Sequence, residues 1–525
     1  MSTTTSHQPL HLTLRTPFVR RRRLPPLFPG ELNLFMYPEL KHYQRCYTFP
    51  STPAGTYVAK SIYAPILRLP TEIFVRIFSF HSDASAPAFR TPFPTIPSYE
   101  FEAELDRLAN TPLLTLSRVC GHWHHIVINT PALWSTFNLN GVLWNSSYGL
   151  EKTMGLLAAG LERSRNVPIE VRIFDETALP LAPRVFALLA LHCHRWRTAE
   201  FFCSMDSIDL TVLRGRLSVQ KLDIHLRPMP QGLDFLADTF RLETLAITPS
   251  LLAKIGPIPF KQLTSLTCGP AGPSGLSPAI SAAAQLSRGS HFHLSAIGGT
   301  YQIFPVCIPP RMSAISQFSC RLMGNSDYRQ ACRALGSIFA SLTLPNLEEL
   351  RLTAVEYPKL ISQWPHAQFC ELSERSEFHR SLKVLNIAEV LIAEKDLISV
   401  LSSLGSLEHL EIADKHLVDG QGADLVVLTD NFLRTVTVQP DRCLVPRLRH
   451  FTCASRLQFT DHIFIMFVAS RLELCPSSTF RAEIRALVSK GVSGLPTLLH
   501  ELHMHSDSRF EYDYTSVNRV LASIE

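Results

Sequence analysis

The recurring pattern Leu-x-x-Leu-x-apolar constrains the fold of this chain more than any other feature, because it spans more than half of the sequence. Two apolar residues separated by one position lie on the same face of a short strand. A unit with one such face can bury it only by stacking on neighbouring units. Six matches carry leucine at both leading positions: Leu242-Leu245-Ile247, Leu263-Leu266-Cys268, Leu347-Leu350-Leu352, Leu382-Leu385-Ile387, Leu407-Leu410-Ile412 and Leu499-Leu502-Met504. Four looser matches are Val219-Leu222-Ile224, Ile315-Phe318-Cys320, Leu433-Val436-Val438 and Leu448-Phe451-Cys453.

The spacing of these matches carries more information than their number, since about three strict matches are expected by chance in a leucine-rich chain. The matches from Val219 to Leu263 start 23 and 21 residues apart, and those from Leu382 to Leu433 start 25 and 26 residues apart. This period is similar to that of leucine-rich repeat proteins. The asparagine or cysteine that follows the strand in regular repeats is missing from most units. We therefore expect an irregular α/β solenoid of alternating short strands and helices.

The composition along the chain suggests a division into several parts. A chain of 525 residues exceeds the size at which a single core usually stops growing. We expect a disordered or weakly ordered tail over 1–60, a helical module over 61–140 with an insertion at 81–112, and the repeat domain over 141–505. Within that domain, the proline and glycine content predicts a long loop at about 269–310. Residues 506–525 are more polar and are interpreted as a cap or a tail.

The helical module contains two apolar stripes at helical spacing. Leu69, Ile73, Ile77 and Phe80 recur at steps of three and four, and Pro70 stands where a helix tolerates proline. The second stripe predicts one helix, ended by the segment 129–131 and followed by a short helix opened by Pro131; its apolar residues are Leu113, Leu116, Cys120, Trp123 and Val127.

Three motifs of this module are similar to those of the F-box family. They are Leu69-Pro70-x-Glu72-Ile73, Val119-Cys120-x-x-Trp123-x-x-Ile126 and Thr130-Pro131-x-Leu133-Trp134. Together with the repeats they resemble the large group of fungal F-box proteins with leucine-rich repeats. The insertion at 81–112 departs from the family, in which a short turn joins the first two helices. Long surface insertions add little closure entropy, so the module can still form.

The resemblance implies a three-helix module that docks on the Skp adaptor, and through it on cullin, while the repeats bind a protein substrate for ubiquitylation. The candidate partner-binding residues carried over are Leu69, Pro70, Ile73, Ile77, Leu116, Val119, Cys120, Trp123, Ile126, Leu133 and Trp134. Two alternatives stay open: an F-box or repeat scaffold that acts outside the ligase, and an ordinary helical hairpin without a partner.

Other activities have little support in the sequence. There is no phosphate loop, dinucleotide-binding glycine motif, nucleophile elbow or His-Glu-x-x-His motif, so we expect neither an enzyme nor a cofactor. The segment Cys120–His125 lacks a second ligand pair at zinc spacing. His500, His503 and His505 are interpreted as part of a strand with His503 and His505 on one face. No metal site is expected at either place.

The bulk properties are typical of a soluble intracellular protein. Hydrophobic residues make up 46% and charged residues 18% of the chain, and the net charge is +5. This charge is too dilute to indicate nucleic acid as a partner, apart from the short cluster Arg20–Arg23. No apolar run is long enough for a membrane span or a secretory signal. We expect cytoplasmic or nuclear localisation, no membrane partner and reduced cysteines.

Overall fold

The computed structural model describes most of the chain beyond residue 68. The described residues are 69–85, 112–140, 147–175, 183–204, 210–227, 234–252, 257–298, 309–324, 328–355, 364–390, 392–414, 428–439, 443–455, 457, 459–474, 479–486, 494–506 and 509–516. The described residues from Pro70 onward belong to one compact unit. The tail predicted over 1–60 and residues 86–111 of the insertion predicted at 81–112 lie outside the described residues, while residues 81–85 continue the first helix.

The dominant feature is a 14-stranded sheet in which every pair of neighbours is parallel. Its strands, in spatial order, are β1 (Thr136–Asn140), β2 (Ile169–Asp175), β3 (Trp196–Ser204), β4 (Lys221–Arg227), β5 (Thr244–Ile247), β6 (Ser265–Ala271), β7 (His291–Gly298), β9 (Gln317–Gly324), β11 (Glu349–Val355), β12 (Val384–Ala388), β13 (His409–Ala413), β14 (His450–Ser455), β15 (Phe480–Ala486) and β16 (Phe510–Ser516). Two short strands, β8 (Arg311–Met312) and β10 (Leu342–Thr343), pair separately. The spatial order of these 14 strands follows the chain order, so each strand between β1 and β16 is hydrogen-bonded to the strands that precede and follow it in this order.

Helices occupy many of the connections between these strands, as a parallel sheet requires a crossover between neighbours. The α-helices are α1 (Thr71–Ser85), α2 (Pro112–Ser117), α3 (Gly121–Asn129), α4 (Ser147–Arg163), α5 (Pro183–Ala190), α6 (Pro249–Leu252), α7 (Pro273–Ala283), α8 (Tyr328–Ser341), α9 (His366–Ser376), α10 (Phe378–Ser381), α11 (Glu394–Ser402), α12 (Asp430–Val436), α13 (Asp461–Leu474) and α14 (Leu495–His505). Short 3-10 helices cover Pro131–Trp134, Cys193–Arg195, Leu210–Leu213, Asp234–Leu236 and Phe260–Gln262.

In five of the six strict repeat matches the second and third apolar residues lie on a strand of the sheet, the leading leucine lies two residues before that strand, and all three are buried. The sixth match was wrong, because Leu499 and Leu502 lie on α14 and Met504 is exposed there. The looser match at Leu433 was also wrong, since it lies on α12. Residues three positions apart also share a face on a helix, so this pattern alone does not distinguish a helix from a strand.

The loop expected at about 269–310 was wrong over most of its length. The chain there completes β6, forms α7 and then forms β7. Pro273 stands at the start of α7, where its missing N–H is harmless, and Leu276, Ala279, Ile280 and Ala283 form a buried face at helical spacing. Here helical periodicity outweighed the proline and glycine content. The boundary at 506 was also wrong, because β16 extends the sheet to Ser516.

Arginines near helix ends connect neighbouring units of the sheet. Arg195 donates a hydrogen bond to the backbone oxygen of Val167 (2.8 Å), and Arg375 donates one to the backbone oxygen of Leu342 (3.1 Å). Arg471, on α13, donates to carbonyl oxygens that follow α12. The last carbonyls of a helix lack intrahelical donors and carry partial negative charge, and Arg375 and Arg471 also donate to two of these, the oxygens of Phe339 in α8 and Val436 in α12.

Candidate partner-binding surface

Helix α1 begins directly after Pro70, as its sequence predicts. The carbonyl oxygen of Pro70 accepts hydrogen bonds from the backbone N–H groups of Ile73 (3.0 Å) and Phe74 (3.3 Å). Glu72 lies in the first turn, where a negative charge stabilises the helix dipole. The start of the helix is therefore fixed by local interactions.

One side of α1 is held in an aromatic cluster. Phe74 and Phe78 are fully buried, one helical turn apart, with ring centroids separated by 5.7 Å. Trp123 of α3 lies 5.9 Å from Phe74 and 5.0 Å from Phe78 between ring centroids, and the ring of His122 lies 5.5 Å from Phe74. Tilted and edge-to-face ring pairs at these distances stabilise the fold by more than the burial of their apolar area alone. This cluster fixes the rotation of α1 against α3.

The adjacent side of α1 is apolar and exposed. Ile73, Ile77 and Phe80 are 38%, 42% and 76% exposed, and their spacing places them on one side of the helix. We call these three residues the α1 face. Single exposed apolar residues are common on proteins, but three on one helical side form a patch of the kind used for binding. Phe80 belongs to the predicted stripe but not to the candidate residues that the F-box resemblance implies, and its ring is the most exposed of the three.

The second predicted helix is in fact two helices, α2 and α3, separated at Cys120. The backbone of Cys120 is extended, and its Sγ atom accepts a hydrogen bond from the N–H of Trp123 (3.5 Å), so that cysteine caps α3. Gly121 begins the new helix. The apolar spacing continues across this break, which is why periodicity alone predicts a single helix. The predicted end at Asn129 and the short helix opened by Pro131 are both confirmed.

The candidate residues fall into three groups by exposure. Exposed are Leu69, Pro70, Ile73, Ile77 and Val119. Half-buried are Leu116, Cys120, Trp123 and Trp134, and buried are Ile126 and Leu133. Sequence spacing brings all eleven into one region but does not separate surface from core. The buried pair belongs to the interior of the helical region, while the exposed residues are free to meet another chain.

The helical region passes into the sheet through a close-packed junction around Trp134. Its indole N–H donates to the backbone oxygen of Val127 (2.7 Å), and the guanidinium of Arg163 lies 4.5 Å over its ring. Burial lowers the pKa of Arg163. At Gly160 a Cβ atom would stand 2.9 Å from the ring of Phe137 on β1, so a larger residue there would require this ring to shift. The junction packs the helices firmly against the first repeat.

The face of the sheet opposite the buried rows is polar and contains paired histidines. The rings of His409 and His450, on neighbouring strands, stack at 4.0 Å with 9° between their planes. The hydroxyl of Thr452 lies within hydrogen-bonding distance of Nε2 of both rings, at 3.5 and 3.4 Å. Burial, and then the neighbouring His450, lower the pKa of His409 to about 4. At neutral pH His409 is therefore uncharged.

We expect acid to destabilise the protein in part through His409. Its ordinary pKa is about 6.5 in an unfolded chain, so between about pH 6.5 and pH 4 the unfolded state binds the proton more tightly. Stability should fall as the pH falls through this window. Urea unfolding at pH 7.5 and pH 5 measures the free energy of unfolding at each pH. In His409→Gln this free energy should fall less between the two pH values than in the unmodified chain. The exposed His379→Gln is the control, and an equal reduction in both variants would contradict this role of His409.

Metal and membrane sites have no support in the part of the chain that the structure describes. Within those residues no three histidine, cysteine or acidic side chains are arranged to hold a metal ion. The strand expected around His500, His503 and His505 was wrong, since all three lie on α14, where Nδ1 of His503 contacts the backbone oxygen of Phe510 (2.5 Å). No helix among the described residues has the length and hydropathy to cross a membrane.

The helical region thus presents an exposed apolar helix side that is supported by an aromatic core and joined to a long sheet. Residues 66–140 match the family model of F-box-like domains. No curated protein is similar enough to this chain to be matched with it. The match covers the helical region and β1. It indicates an adaptor or scaffold role of the F-box type, in which such domains bind Skp-type adaptors, rather than a catalytic one.

Proposed function

We propose that the chain is the substrate-recognition subunit of an SCF-type ubiquitin ligase. The F-box-like segment binds the Skp adaptor, and through it cullin, while the sheet region binds a protein target inside the cell. Catalysis then rests on proximity, since a separate enzyme transfers ubiquitin to a target held nearby. The observation that carries this proposal is the α1 face, which lies exposed within the matched residues.

The exposures suggest how the candidate residues divide their roles. Ile73, Ile77 and Phe80 supply apolar area whose removal from water favours association by about 25 cal/mol per Å². Aromatic side chains commonly dominate such interfaces, and Phe80 is the most exposed one on α1. Leu69, Pro70 and Val119 extend the proposed contact. Trp123 supports it from behind through its contacts with Phe74 and Phe78.

The adaptor contact predicts a specific loss of affinity. Ile77→Asp should weaken binding to the Skp adaptor by about 10- to 30-fold, because it places a charge where apolar surface is buried. Binding is measured by co-purification after co-expression and by calorimetry with the purified adaptor. Leu69→Ala combined with Pro70→Ala should weaken it less, since alanine introduces no charge.

Val212→Asp is the matched control for Ile77→Asp. Val212 is also 42% exposed but lies outside the matched residues, so its replacement should leave adaptor affinity unchanged. Equal affinity in Ile77→Asp and the unmodified chain would exclude the α1 face as the contact.

The proposed target surface is the polar face of the sheet, in a protein of the leucine-rich repeat class. Five strict matches that contribute buried residues to strands, and the parallel order of those strands, support this classification. The alternative is an F-box scaffold that works outside the ligase. Affinity purification from the native cell separates the two: cullin together with the adaptor supports the ligase, and adaptor without cullin supports the scaffold.

A further inference from the structure

A long stretch without acidic residues lies within the sheet region. Residues 244–326 contain no aspartate or glutamate, although acids make up 45 of the 525 residues and about seven are expected in a stretch of this length. The same stretch contains five lysines and arginines. The positive charge that is dilute over the whole chain is therefore concentrated in this part of it.

Four exposed cations lie at one edge of the sheet, one in each of four successive turns. Arg216, Arg241, Lys261 and Arg288 stand five, three, four and three residues before the first residues of β4, β5, β6 and β7. Neighbouring parallel strands begin at the same edge of a sheet and lie about 4.8 Å apart. We call these four residues the basic ridge.

Hydrogen bonds join the turns that carry the ridge. The hydroxyl of Ser287 donates to the backbone oxygen of Lys261 (2.8 Å), next to Arg288. The side-chain amide of Gln262 donates to the backbone oxygen of Thr239 (2.6 Å). These turns are therefore in contact with one another, so the cations follow one another along the edge of the sheet.

A shallow recess of about 410 Å³ lies at the position of Arg241 in the ridge. Its walls include Phe240, which is 76% exposed, and the side chains of Gln220, Glu243 and Gln262. The backbone N–H of Glu243 donates to the backbone oxygen of Gln220 (2.8 Å), which joins this turn to the preceding unit. The ridge thus combines a row of positive charges with one exposed aromatic ring.

The ridge cations lack acidic partners. None of the four side chains forms an ion pair or a hydrogen bond with another residue in the described part of the chain. On the polar face of the sheet, by contrast, Arg172 and Lys221 both lie close to Glu200, at 3.4 and 3.6 Å. Exposed cations that are not neutralised within the chain attract an anionic partner.

The side chains of the recess favour an acidic peptide over a nucleic acid. Proteins that bind single-stranded nucleic acid stack successive bases on several aromatic side chains. Among the described residues of 210–298, Phe240 is the one exposed phenylalanine, tyrosine or tryptophan. Glu243 would also repel a continuous phosphate backbone, whereas a peptide can place an uncharged residue beside it.

We infer that the basic ridge binds an extended acidic segment of a partner protein. Carboxylates of that segment pair with Arg216, Arg241, Lys261 and Arg288, and an apolar side chain of the segment packs on Phe240. The ridge shares no residue with the α1 face, so this inference does not depend on the proposed function.

Fluorescence anisotropy of a labelled peptide with three Glu-Glu-Leu repeats tests this binding with the full chain. The measurement is made at low ionic strength, where exposed charges are least screened. Lys261→Glu combined with Arg288→Glu should weaken binding by at least about tenfold, because like charges would then face each other. The matched control is Lys395→Glu combined with Arg434→Glu, an exposed lysine and arginine on α11 and α12, which should change the affinity by less than about twofold.

Phe240→Ala tests the apolar part of the contact. It should weaken binding of the peptide that contains leucine by about threefold to tenfold, because apolar area on the ring is no longer buried. A labelled peptide of glutamate alone should bind this variant and the unmodified chain equally.

No binding of the Glu-Glu-Leu peptide, or equal binding by the double ridge variant and the unmodified chain, would overturn the inference. So would a single-stranded RNA of about ten nucleotides that binds more tightly than the peptide and loses affinity in the double ridge variant, because the ridge would then be a nucleic-acid site. Adaptor binding should be unchanged in all these variants, which shows that the fold is intact and separates this test from that of the proposed function.

Discussion

Arg471→Ala is expected to lower the free energy of unfolding by about 3–5 kcal/mol. The side chain is 1% exposed, and its guanidinium donates to the backbone oxygens of Val445 (2.9 Å), Leu444 (3.0 Å) and Val436. Alanine would leave these buried oxygens without the donors that now satisfy them. The guanidinium also lies 5.5 Å from the ring centroid of Phe467, so packing would be lost with the hydrogen bonds.

Arg471 also holds a strained residue, whose backbone should relax in Arg471→Ala. Val445 has a φ of 45°, a conformation that β-branched residues rarely adopt. Such strain persists only where the surroundings hold it, and Arg471 binds the carbonyl oxygen of this residue. Urea unfolding followed by circular dichroism measures the change. The control is Arg434→Ala on neighbouring α12, an exposed arginine whose loss should shift stability by less than about 0.5 kcal/mol.

Phe78→Ala is expected to destabilise the helical region by about 3–5 kcal/mol. Phe78 is fully buried and contacts both Phe74 and Trp123, so its loss opens a cavity in the cluster that holds α1. Hydrogen exchange over Thr71–Phe80 should lose protection, because the described packing of α1 depends on these rings. Adaptor binding should fall as a consequence, since the α1 face would no longer be held in place.

Phe80→Ala separates the core of α1 from its surface. The substitution is the same and lies two residues away, but Phe80 is 76% exposed. It should leave exchange over Thr71–Phe80 unchanged while weakening adaptor binding. If Phe80→Ala opened α1 as much as Phe78→Ala does, the division of the helix into a packed and a binding side would be wrong.

The periodicity of the sequence predicted which helices form the candidate site, but it did not predict which of their residues are buried. The spacing of Leu69, Ile73, Ile77 and Phe80 predicted a helix and a shared side, and α1 confirms the helix. The buried contacts, however, come from Phe74 and Phe78, which no pattern had selected. Both residues are one turn apart on the neighbouring side, so the sequence contained a second stripe. Its aromatic character was the available signal.

In the sheet region the pattern identified strands with large apolar residues at its positions and missed strands such as β7 and β15, in which a small residue stands at one of them. β7 carries Phe292 and Leu294 at strand spacing, but Gly289 stands where the leading leucine would be, and the strand was missed. β15 was missed for a similar reason, since Ala482 and Ile484 fill its buried row. Packing between neighbouring strands buries these residues whatever their type. A pattern that requires leucine therefore misses strands whose burial comes from this packing.

The sequence by itself determined which residues share a face, because helices and strands repeat side-chain directions at fixed periods. It thereby specified α1, the strict-match strands and the short helix at Pro131. Only the tertiary structure decided which face meets a neighbour: the rings of Phe74, Phe78 and Trp123 pack together, and Ile73, Ile77 and Phe80 are left exposed. The physical reason is that periodicity is local, whereas burial depends on elements brought together across the chain.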